Sequence, residues 1–265
     1  MPELPEVEFA RSVIERAALG REIADVDDAD PYVCRPHHPG EIRAALIGRE
    51  LTAAHRRGKS MWCDTSGPVL GIHLGMSGKI VIAGPDGSEI DGGDYWEGRR
   101  KTGDYRWARF GLTFADGGRL LLVDPRRLGR VRLDPPVEKL GPDAATITAD
   151  AFTRAVTGGS APVKARLLEQ HRIAGIGNLL ADEILWQARV HPGRPGDEIT
   201  EPEVKRLFRA TRAAVRSALR DGGVHTLTLI AHRRPDGRCP RDGTPMTHGT
   251  FGGRTTWWCP REQVR

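Results

Sequence analysis

The first periodic pattern along the chain predicts an amphipathic helix over residues 5–20. Its apolar face would consist of four residues that recur at helical spacing, namely Ala10, Val13, Ile14 and Ala17. Pro5 suits the first turn of a helix, where a missing N–H costs nothing. Gly20 suits the position just after a helix ends.

Beyond this helix the pattern changes to short apolar runs separated by glycines, which is typical of β-strands. Two such runs, Val69–Leu74 and Lys79–Ile82, flank the glycine-containing turn at residues 75–78. Two others, Arg109–Phe114 and Arg119–Val123, flank Asp116-Gly117-Gly118, which is a strong hairpin signal. We therefore expect a β-sandwich or barrel over roughly residues 20–134.

The pattern of the second half predicts helices after a Pro- and Gly-rich linker. Ser160 is the expected cap of a helix that carries Val163, Leu167 and Leu168, and Leu179–Ala188 is the next predicted helix. A third helix should begin after Thr200, whose spacing to Glu203 matches a capping box. Its apolar stripe, which ends at Gly222-Gly223, indicates core packing and carries no functional signal.

These patterns together predict an α+β chain in four parts. They are an N-terminal β-sandwich domain with its helix (residues 1–134), a linker (135–145), a helical domain (146–230) and a terminal β-hairpin segment (231–265). A chain of 265 residues with 38% hydrophobic residues can bury the cores that this division requires.

The charge balance permits a polyanionic partner without requiring one, because 40 basic residues exceed 35 acidic residues by only +5. The excess is concentrated at the end of the chain, where residues 231–265 contain seven arginines against three acidic residues. No apolar run is long enough for a membrane span, and the acidic start does not resemble a secretion signal. Four cysteines do not make a disulfide framework, so we expect a reducing, cytoplasmic setting.

The chain begins Met1-Pro2-Glu3, and removal of Met1 would make Pro2 a terminal secondary amine. An α-amino group has a pKa of roughly 7.7–8.0 against about 10.4 for lysine, so far more of it is an uncharged nucleophile at neutral pH. A secondary amine that adds to a sugar aldehyde carbon gives a cationic iminium directly. Glu3 would place a carboxyl group next to that carbon for proton transfer. The alternative is a Pro-rich leader without chemistry.

Three further features of the first half carry candidate chemistry. Lys59 lies among basic residues just before a predicted strand, where the ordinary interpretation of a lysine is a solvated cation. Met76, at a tight glycine turn, suits either a core or a wedge in a base stack. Arg126 and Leu128 lie on another turn, which is either plain surface or a probe for a vacated base position.

In the second half, Gly175-Ile176-Gly177-Asn178 at a helix start would expose backbone N–H groups that favour an anion. Asn178 adds a side-chain donor. Four basic residues just upstream raise the odds of a phosphate site: Lys164, Arg166, His171 and Arg172. The competing interpretation is an ordinary loop-to-helix joint.

The terminal segment has the outline of a two-knuckle zinc ribbon in which Cys239 and Cys259 supply two ligands. Asp242 and Glu262 stand at the other two ligand positions, where structural zinc usually has sulfur or nitrogen. Zinc binding and a metal-free hairpin of the same shape therefore both remain open.

Taken together, the chain resembles the formamidopyrimidine-DNA glycosylase/endonuclease VIII family over its whole length. Four motifs occur in the family order: Pro2–Glu8, the two turns at residues 73–78 and 124–129, Gly175–Glu183, and Arg254–Gln263. The resemblance implies a β-sandwich followed by a helix–two-turn–helix domain and a zinc or zincless finger. It also implies a bifunctional glycosylase and abasic-site lyase of base excision repair that acts on damaged double-stranded DNA without a catalytic cofactor.

The resemblance implies roles for individual residues as well. Pro2 matches the family nucleophile, Glu3 its proton-transfer residue and Lys59 its catalytic-site lysine. Asn178, Lys164 and Arg254 match residues that hold the phosphates around the everted nucleotide, and Arg254 also counts with the catalytic group. Met76, Arg126 and Leu128 match the positions that fill the gap in the duplex.

Three departures from the family pattern favour an endonuclease VIII-like preference for oxidised pyrimidines or ring-opened bases. Leu128 stands where purine-type members have a phenylalanine wedge, two finger cysteines are absent, and the segment from Gly222 to Arg238 is short. We expect a monomeric bacterial protein of the cytoplasm, associated with the nucleoid. The alternatives are a non-catalytic protein that binds damaged DNA and a lyase that has lost base excision.

Overall fold

The computed structural model describes residues 2–93 and 103–265 of the chain. Residues 2 and 6–137 belong to one compact unit, and residues 3–5 with 138–265 belong to a second. Within the described ranges, no helix combines the length and the apolar character needed to cross a membrane. The four-part division made from the sequence stays a prediction.

The first unit is built mainly of antiparallel strands. Its helices are α1 (Leu4–Ala17), whose first two residues belong to the second unit, and α2 (Glu41–Leu46). Its described strands are β1 (Ile23–Asp27), β2 (Leu51–Arg57), β3 (Ser60–Thr65), β4 (Leu70–His73), β5 (Lys79–Ala83), β6 (Glu89–Gly93), β7 (Ala108–Phe114), β8 (Arg119–Val123) and β9 (Arg130–Leu133). A 3₁₀ turn, Val137–Lys139, follows them.

These strands form two sheets, with the orders β1-β7-β8-β5-β6 and β2-β3-β4-β9. The predicted hairpin at Asp116-Gly117-Gly118 is confirmed, because β7 and β8 pair across it. The turn at residues 75–78 instead carries the chain from one sheet to the other, since β4 and β5 lie in different sheets. Both sheets contribute to a single apolar core, in which Ile72 and Phe110 are buried together with Ile14 of α1. The predicted sandwich is confirmed.

The second unit is mainly helical. Its helices are α3 (Ala149–Val156), α4 (Val163–Leu168), α5 (Asn178–Ala188) and α6 (Glu201–Asp221), with 3₁₀ turns at Gly196–Glu198, Val224–Thr226 and Ile230–His232. They bury a second core that contains Phe152, Leu167, Ile184 and Leu207. Leu4, from the start of the chain, is fully buried in the same core.

A two-stranded hairpin ends the second unit, formed by β10 (Thr247–Phe251) and β11 (Arg254–Trp258). It has a small core of its own that includes Trp186, Met246 and Trp257. The α+β class and the terminal hairpin are thus confirmed.

The predicted helix boundaries are correct in part. The capping box at Thr200 is confirmed, since the Glu203 carboxylate accepts the Thr200 backbone N–H at 2.8 Å. The cap predicted at Ser160 is wrong, because α4 begins only at Val163 and Pro162 occupies its N-cap. Proline fixes a backbone angle suited to a helix start, and this outweighs the hydroxyl of a serine two residues earlier.

Candidate active site

The carboxylate of Glu3 closes the N-terminal end of helix α5. Its Oε2 accepts the backbone N–H groups of Gly177 at 2.8 Å and Leu180 at 3.1 Å, and its Oε1 accepts that of Leu179 at 2.8 Å. The first N–H groups of a helix have no partner within the helix, and Gly177 at the N-cap has no side chain to supply one. Glu3, which is fully buried, therefore serves as the cap of α5 across 174 residues of sequence.

Pro2 lies immediately before this fixed carboxylate and is itself buried. The backbone N–H of Leu4 donates to the carbonyl of Gly175 at 3.2 Å, so the residues after Pro2 are tied to the glycine-rich turn. The predicted removal of Met1 concerns a residue that lies outside the described ones. The reactive role of Pro2 stays a prediction at this point.

Lys59 occupies the two-residue turn of the β2–β3 hairpin, where Arg57 pairs with Ser60 and Gly58 has a φ of 60°. The turn is positioned by an ion pair, because Arg56 donates to Glu8 at 2.8 Å and to the carbonyl of Gly58 at 3.1 Å. Lys59 is half-buried there. The structure thus places the predicted lysine at a hairpin tip that side-chain contacts hold in place.

His73, at the end of β4, joins Lys59 in a basic cluster that the sequence pattern did not single out. It pairs with Arg130 of β9, and its Nδ1 accepts the backbone N–H of Gly75 at 3.0 Å. His73 is exposed as a residue, yet burial of its titrating group and then the charges of Lys59 and Arg130 lower the pKa of His73. Its position in the motif was visible in the sequence, but its neighbours on β9 were not.

Met76, Arg126 and Leu128 are brought together on one exposed tip. The buried carboxylate of Asp124 accepts the Ser77 hydroxyl at 2.6 Å and the backbone N–H groups of Leu128 and Gly129, each at 2.7 Å. Gly75 is required here, because an added Cβ would lie 2.4 Å from the Leu128 carbonyl carbon. The two predicted turns therefore form a single surface, which exposes 38% of Met76 and 46% of Leu128.

Asn178 and Arg254 are linked through the hairpin of the second unit. The Asn178 side-chain amide donates to the carbonyl of Thr255 at 3.0 Å, and Arg254, next to Thr255, is exposed at the start of β11. The structure therefore places the Asn178 side chain against Thr255, the residue that follows Arg254. The contact of Asn178 and Arg254 with phosphate stays a prediction.

Lys164 has an environment that its charge did not predict, since it is fully buried. Its ammonium donates to Asp182 at 2.6 Å and to the Thr256 hydroxyl at 2.7 Å. Burial lowers the pKa of Lys164, although Asp182 opposes the shift. Asp182 also accepts hydrogen bonds from Nε of Arg233 at 2.8 Å and from the backbone N–H of Trp257 at 3.1 Å. This residue of α5 therefore connects Lys164 of α4 to the terminal hairpin. The predicted phosphate contact of Lys164 is untested, and its partners here lie within the protein.

Among the described residues, Cys239, Asp242 and Cys259 converge, with one ligand atom of each lying within 4.8 Å of the others. Glu262, at the fourth predicted position, instead forms ion pairs with Arg189 and Arg241, each at 2.9 Å. A closed structural zinc site needs four ligands, and this group supplies three. A zinc ion at this position would therefore take its fourth ligand from elsewhere.

The two thiols of this group have partners within the protein. The Trp186 indole N–H donates to the sulfur of Cys239 at 3.4 Å, and the Cys259 thiol lies 3.7 Å from both carboxylate oxygens of Asp242. Burial, with the nearby Cys239, raises the pKa of Cys259. A neutral thiol that donates a hydrogen bond to a carboxylate is compatible with the metal-free form of the hairpin.

Two family models match the chain, the formamidopyrimidine-DNA glycosylase N-terminal domain over residues 1–131 and the formamidopyrimidine-DNA glycosylase H2TH domain over residues 140–228. A formamidopyrimidine-DNA glycosylase of Nocardioides sp. (strain ATCC BAA-499 / JS614) is 36% identical, with 98% of this chain and 93% of that protein covered. The chain belongs to the formamidopyrimidine-DNA glycosylase family. The resemblance deduced from the motifs is thereby confirmed, and so are the helix–two-turn–helix domain and the enzyme class, DNA glycosylase.

Solved structures of the family agree over the whole chain. A complex between Lactococcus lactis Fpg and DNA containing an abasic site has a TM-score of 0.82 at 25% identity and covers 99% of this chain and 100% of that chain. A complex of L. lactis Fpg with DNA containing an oxidised pyrimidine has a TM-score of 0.83 at 25% identity and covers 100% of both chains.

Proposed function

We propose that this formamidopyrimidine-DNA glycosylase family member is a bifunctional enzyme that releases damaged bases from double-stranded DNA and then nicks the strand. The observation that carries the proposal is the Glu3 carboxylate, which follows Pro2 in the chain and is held by three backbone N–H groups at the start of α5. A fixed proton-transfer group beside a terminal amine is what an iminium mechanism requires. No metal or nucleotide takes part in the chemistry.

The proposed reaction begins when the free nitrogen of Pro2 attacks C1′ of an everted nucleotide. The bond from C1′ to the base breaks and the base leaves with a proton, so that the nitrogen takes its place on C1′. The bond from C1′ to the ring oxygen O4′ then breaks, O4′ takes up a proton, and the nitrogen and C1′ form an iminium in the opened sugar. Loss of a proton from C2′ then expels the 3′ phosphate, and a second elimination expels the 5′ phosphate. Water finally hydrolyses the iminium and restores the amine. Glu3 transfers protons at C1′. The resemblance to the family assigns Lys59 to the catalytic residues.

DNA binding is proposed from charge and from the family. Solved relatives are complexes with abasic or lesion-containing DNA. In the first unit, Lys59 and Arg130 place positive charge on both sides of His73, and this charge favours phosphates. Asn178 and Arg254 are the proposed phosphate ligands of the second unit. Lys164 would support them through β11, because its ammonium also lies 3.5 Å from the Thr255 carbonyl.

The tip formed by Met76, Arg126 and Leu128 would fill the space that the everted nucleotide leaves. Eversion costs a few kcal/mol, which apolar and cationic side chains can offset by occupying the gap. Such a tip must be exposed and must keep its shape. The exposure of Met76 and Leu128 and the hydrogen bonds of Asp124 meet both conditions.

For lesion preference we propose an endonuclease VIII-like range of oxidised pyrimidines and ring-opened bases. Leu128 offers less stacking surface than a phenylalanine, and only short 3₁₀ turns occupy the segment from Gly222 to Arg238. The relatives named above carry the name Fpg, and one of them was solved with an oxidised pyrimidine. A panel of duplexes that carry 8-oxoguanine, a ring-opened purine or an oxidised pyrimidine tests this proposal by their relative excision rates.

The reaction type is tested by borohydride trapping on duplexes with an abasic site. We expect a covalent adduct that disappears in Pro2→Gly and when an N-terminal tag blocks the amine. An adduct that survives a blocked N-terminus contradicts the role of Pro2. Salt-dependent binding without nicking indicates a non-catalytic binding protein, and nicking of abasic but not lesion duplexes indicates a lyase alone.

A further inference from the structure

The turn at residues 30–35 lies beside the tip formed by Met76, Arg126 and Leu128. The Asp30 carboxylate accepts the backbone N–H groups of Tyr32 at 3.0 Å and Val33 at 3.2 Å. Val33 is fully buried, and its carbonyl accepts the N–H of Val131 in β9 at 2.8 Å. The turn is therefore fixed to the sheet, while Tyr32 at its apex exposes 62% of its surface.

The same carboxylate fastens this turn to the loop that carries Arg126 and Leu128. Arg127 donates from Nε and Nη2 to the two oxygens of Asp30, at 2.9 and 3.0 Å, which is a bidentate geometry. Burial opposes ionisation of Asp30, but Arg127 and the two backbone N–H groups lower its pKa. Arg127 has a φ of 53°, which is uncommon for a residue with a Cβ. Such backbone persists where the surroundings enforce it, so the two loops form one rigid surface.

The two loops line an open surface pocket of about 290 Å³, formed by Tyr32, Arg35, Arg126, Arg127 and Leu128. Of the described residues that line it, three are arginines and none is acidic. The guanidinium groups of Arg35 and Arg127 lie 5.7 and 5.3 Å from the centre of the Tyr32 ring. The positive charge extends beyond the pocket to Arg130 and Arg132. Burial, and then the charges of Arg35 and Arg132, lower the pKa of Arg130, so these three guanidinium groups lie close enough to repel one another.

This combination of groups suits a nucleobase. Aromatic rings and guanidinium planes provide stacking surfaces for any base, and arginine donors match the acceptor atoms on base edges. A simple phosphate site would not need the exposed ring or Leu128. The pocket adjoins Arg126 and Leu128, which the proposed function assigns to the gap that an everted nucleotide leaves.

We propose that this pocket receives the base opposite the everted nucleotide, and that Tyr32 supplies the aromatic stacking surface that Leu128 lacks. The proposal rests on the proposed function, since it requires a duplex from which one nucleotide has been everted. Tyr32 is then a specificity-determining residue for the undamaged strand. Asp30 acts as a positioning residue, because it holds Tyr32 and Arg127 in place.

The test is a binding cycle on duplexes with a tetrahydrofuran residue, which mimics an abasic site and cannot be cleaved. In one duplex cytosine lies opposite the tetrahydrofuran, and in the other a second tetrahydrofuran removes that base. The affinities of the wild-type protein and of the variants Tyr32→Leu and Tyr32→Phe are measured by fluorescence anisotropy at one salt concentration. The thermal unfolding midpoint of each variant is measured as a control, and it should match that of the wild type because Tyr32 is exposed.

We expect Tyr32→Leu to weaken binding of the cytosine duplex by about tenfold, the size of a lost stacking contact. The loss on the baseless duplex should be less than about twofold, and Tyr32→Phe should behave as the wild type on both. An equal loss on both duplexes would show that Tyr32 contacts the DNA backbone, and no loss on either would show that it contacts nothing. Both outcomes overturn the proposal.

Failure of the proposed function gives a different pattern of results. If the wild type forms no borohydride adduct with abasic duplex but the Tyr32 cycle gives the expected difference, the catalytic proposal fails and the base pocket stands. If the adduct forms but Tyr32→Leu changes the affinity for the two duplexes equally or not at all, only the pocket proposal is overturned. If the wild type binds tetrahydrofuran duplex no better than intact duplex, both are overturned.

Discussion

The carboxylate of Glu3 and the backbone N–H of Gly177 form a hydrogen bond of 2.8 Å that leaves no room for a side chain between them. A Cβ added to Gly177 would lie 2.3 Å from the Glu3 carboxyl carbon and 2.5 Å from one of its oxygens. Gly177 is thus a glycine because of close approach, and its φ of −117° is open to any residue. The same contact caps α5 and fixes the group next to the proposed nucleophile.

Gly177→Ala should therefore displace Glu3 and reduce both stability and activity. Overpacking of this kind costs about 1–3 kcal/mol in the free energy of unfolding, measured by urea denaturation. We expect the rate of base excision to fall by about tenfold or more, since a small misplacement of a catalytic group is costly. Gly67→Ala is the matched control, because its added Cβ would meet only the flexible side chain of Arg49. Equal effects of the two substitutions would contradict this account of Gly177.

Asp182→Asn should destabilise the second unit through Lys164. The substitution leaves a fully buried ammonium without its counter-ion, and breaking a buried pair in this way costs about 3–5 kcal/mol. Adding Lys164→Met to this variant should restore part of the loss, because the uncompensated charge is then gone. Urea unfolding of the two single variants and the double variant measures the coupling. Additive losses would show that the two side chains do not interact.

Asp124→Asn should loosen the tip that carries Met76, Arg126 and Leu128. An amide has one acceptor oxygen in place of two, so part of the set of bonds from Ser77, Arg126, Leu128 and Gly129 is lost. Each buried donor left without a partner costs about 1–3 kcal/mol. We expect weaker binding of tetrahydrofuran duplex, with the affinity for intact duplex little changed. A uniform loss on both duplexes would contradict a role in filling the gap.

The stability contributed by Glu8 should depend on pH in the acidic range. Burial raises the pKa of this carboxyl, but hydrogen bonds and charges of Arg11 and Arg56 outweigh it and lower the pKa from 4.5. A lowered native pKa gives stability that is present above the unfolded value and is lost as pH falls through the native value. The difference in unfolding free energy between wild type and Glu8→Gln should thus be largest near neutral pH and shrink below pH 4.5. A difference that is constant with pH would contradict the ion pair.

Local patterns predicted the fold well where one face of an element is clearly apolar. Helix α1 was predicted this way. Local turn and capping motifs predicted the β7–β8 hairpin and the capping box at Thr200. Strand β2 was missed, since its two arginines and His55 obscure the alternation. The motifs also predicted the family, whereas the roles that they assign to individual residues stay predictions.

Contacts between distant residues could not be predicted from the sequence. Nothing near Glu3 indicates that it caps a helix that begins at Asn178. The sequence assigned Lys164 to a phosphate site and gave no sign of its burial, because its partners Asp182 and Thr256 lie 18 and 92 positions away. Glu262 matched a ligand position by spacing, but Arg189 and Arg241 bind it instead.

The most direct test of the central claim is to identify the amino acid that carries the DNA after borohydride trapping. Digestion of the adduct and mass spectrometry of the DNA-linked peptide locate the modified nitrogen. The account predicts a peptide that begins with Pro2, lacks Met1 and carries the sugar on the proline nitrogen. A sugar on the amine of Lys59, or a modified protein that still carries Met1, would contradict it.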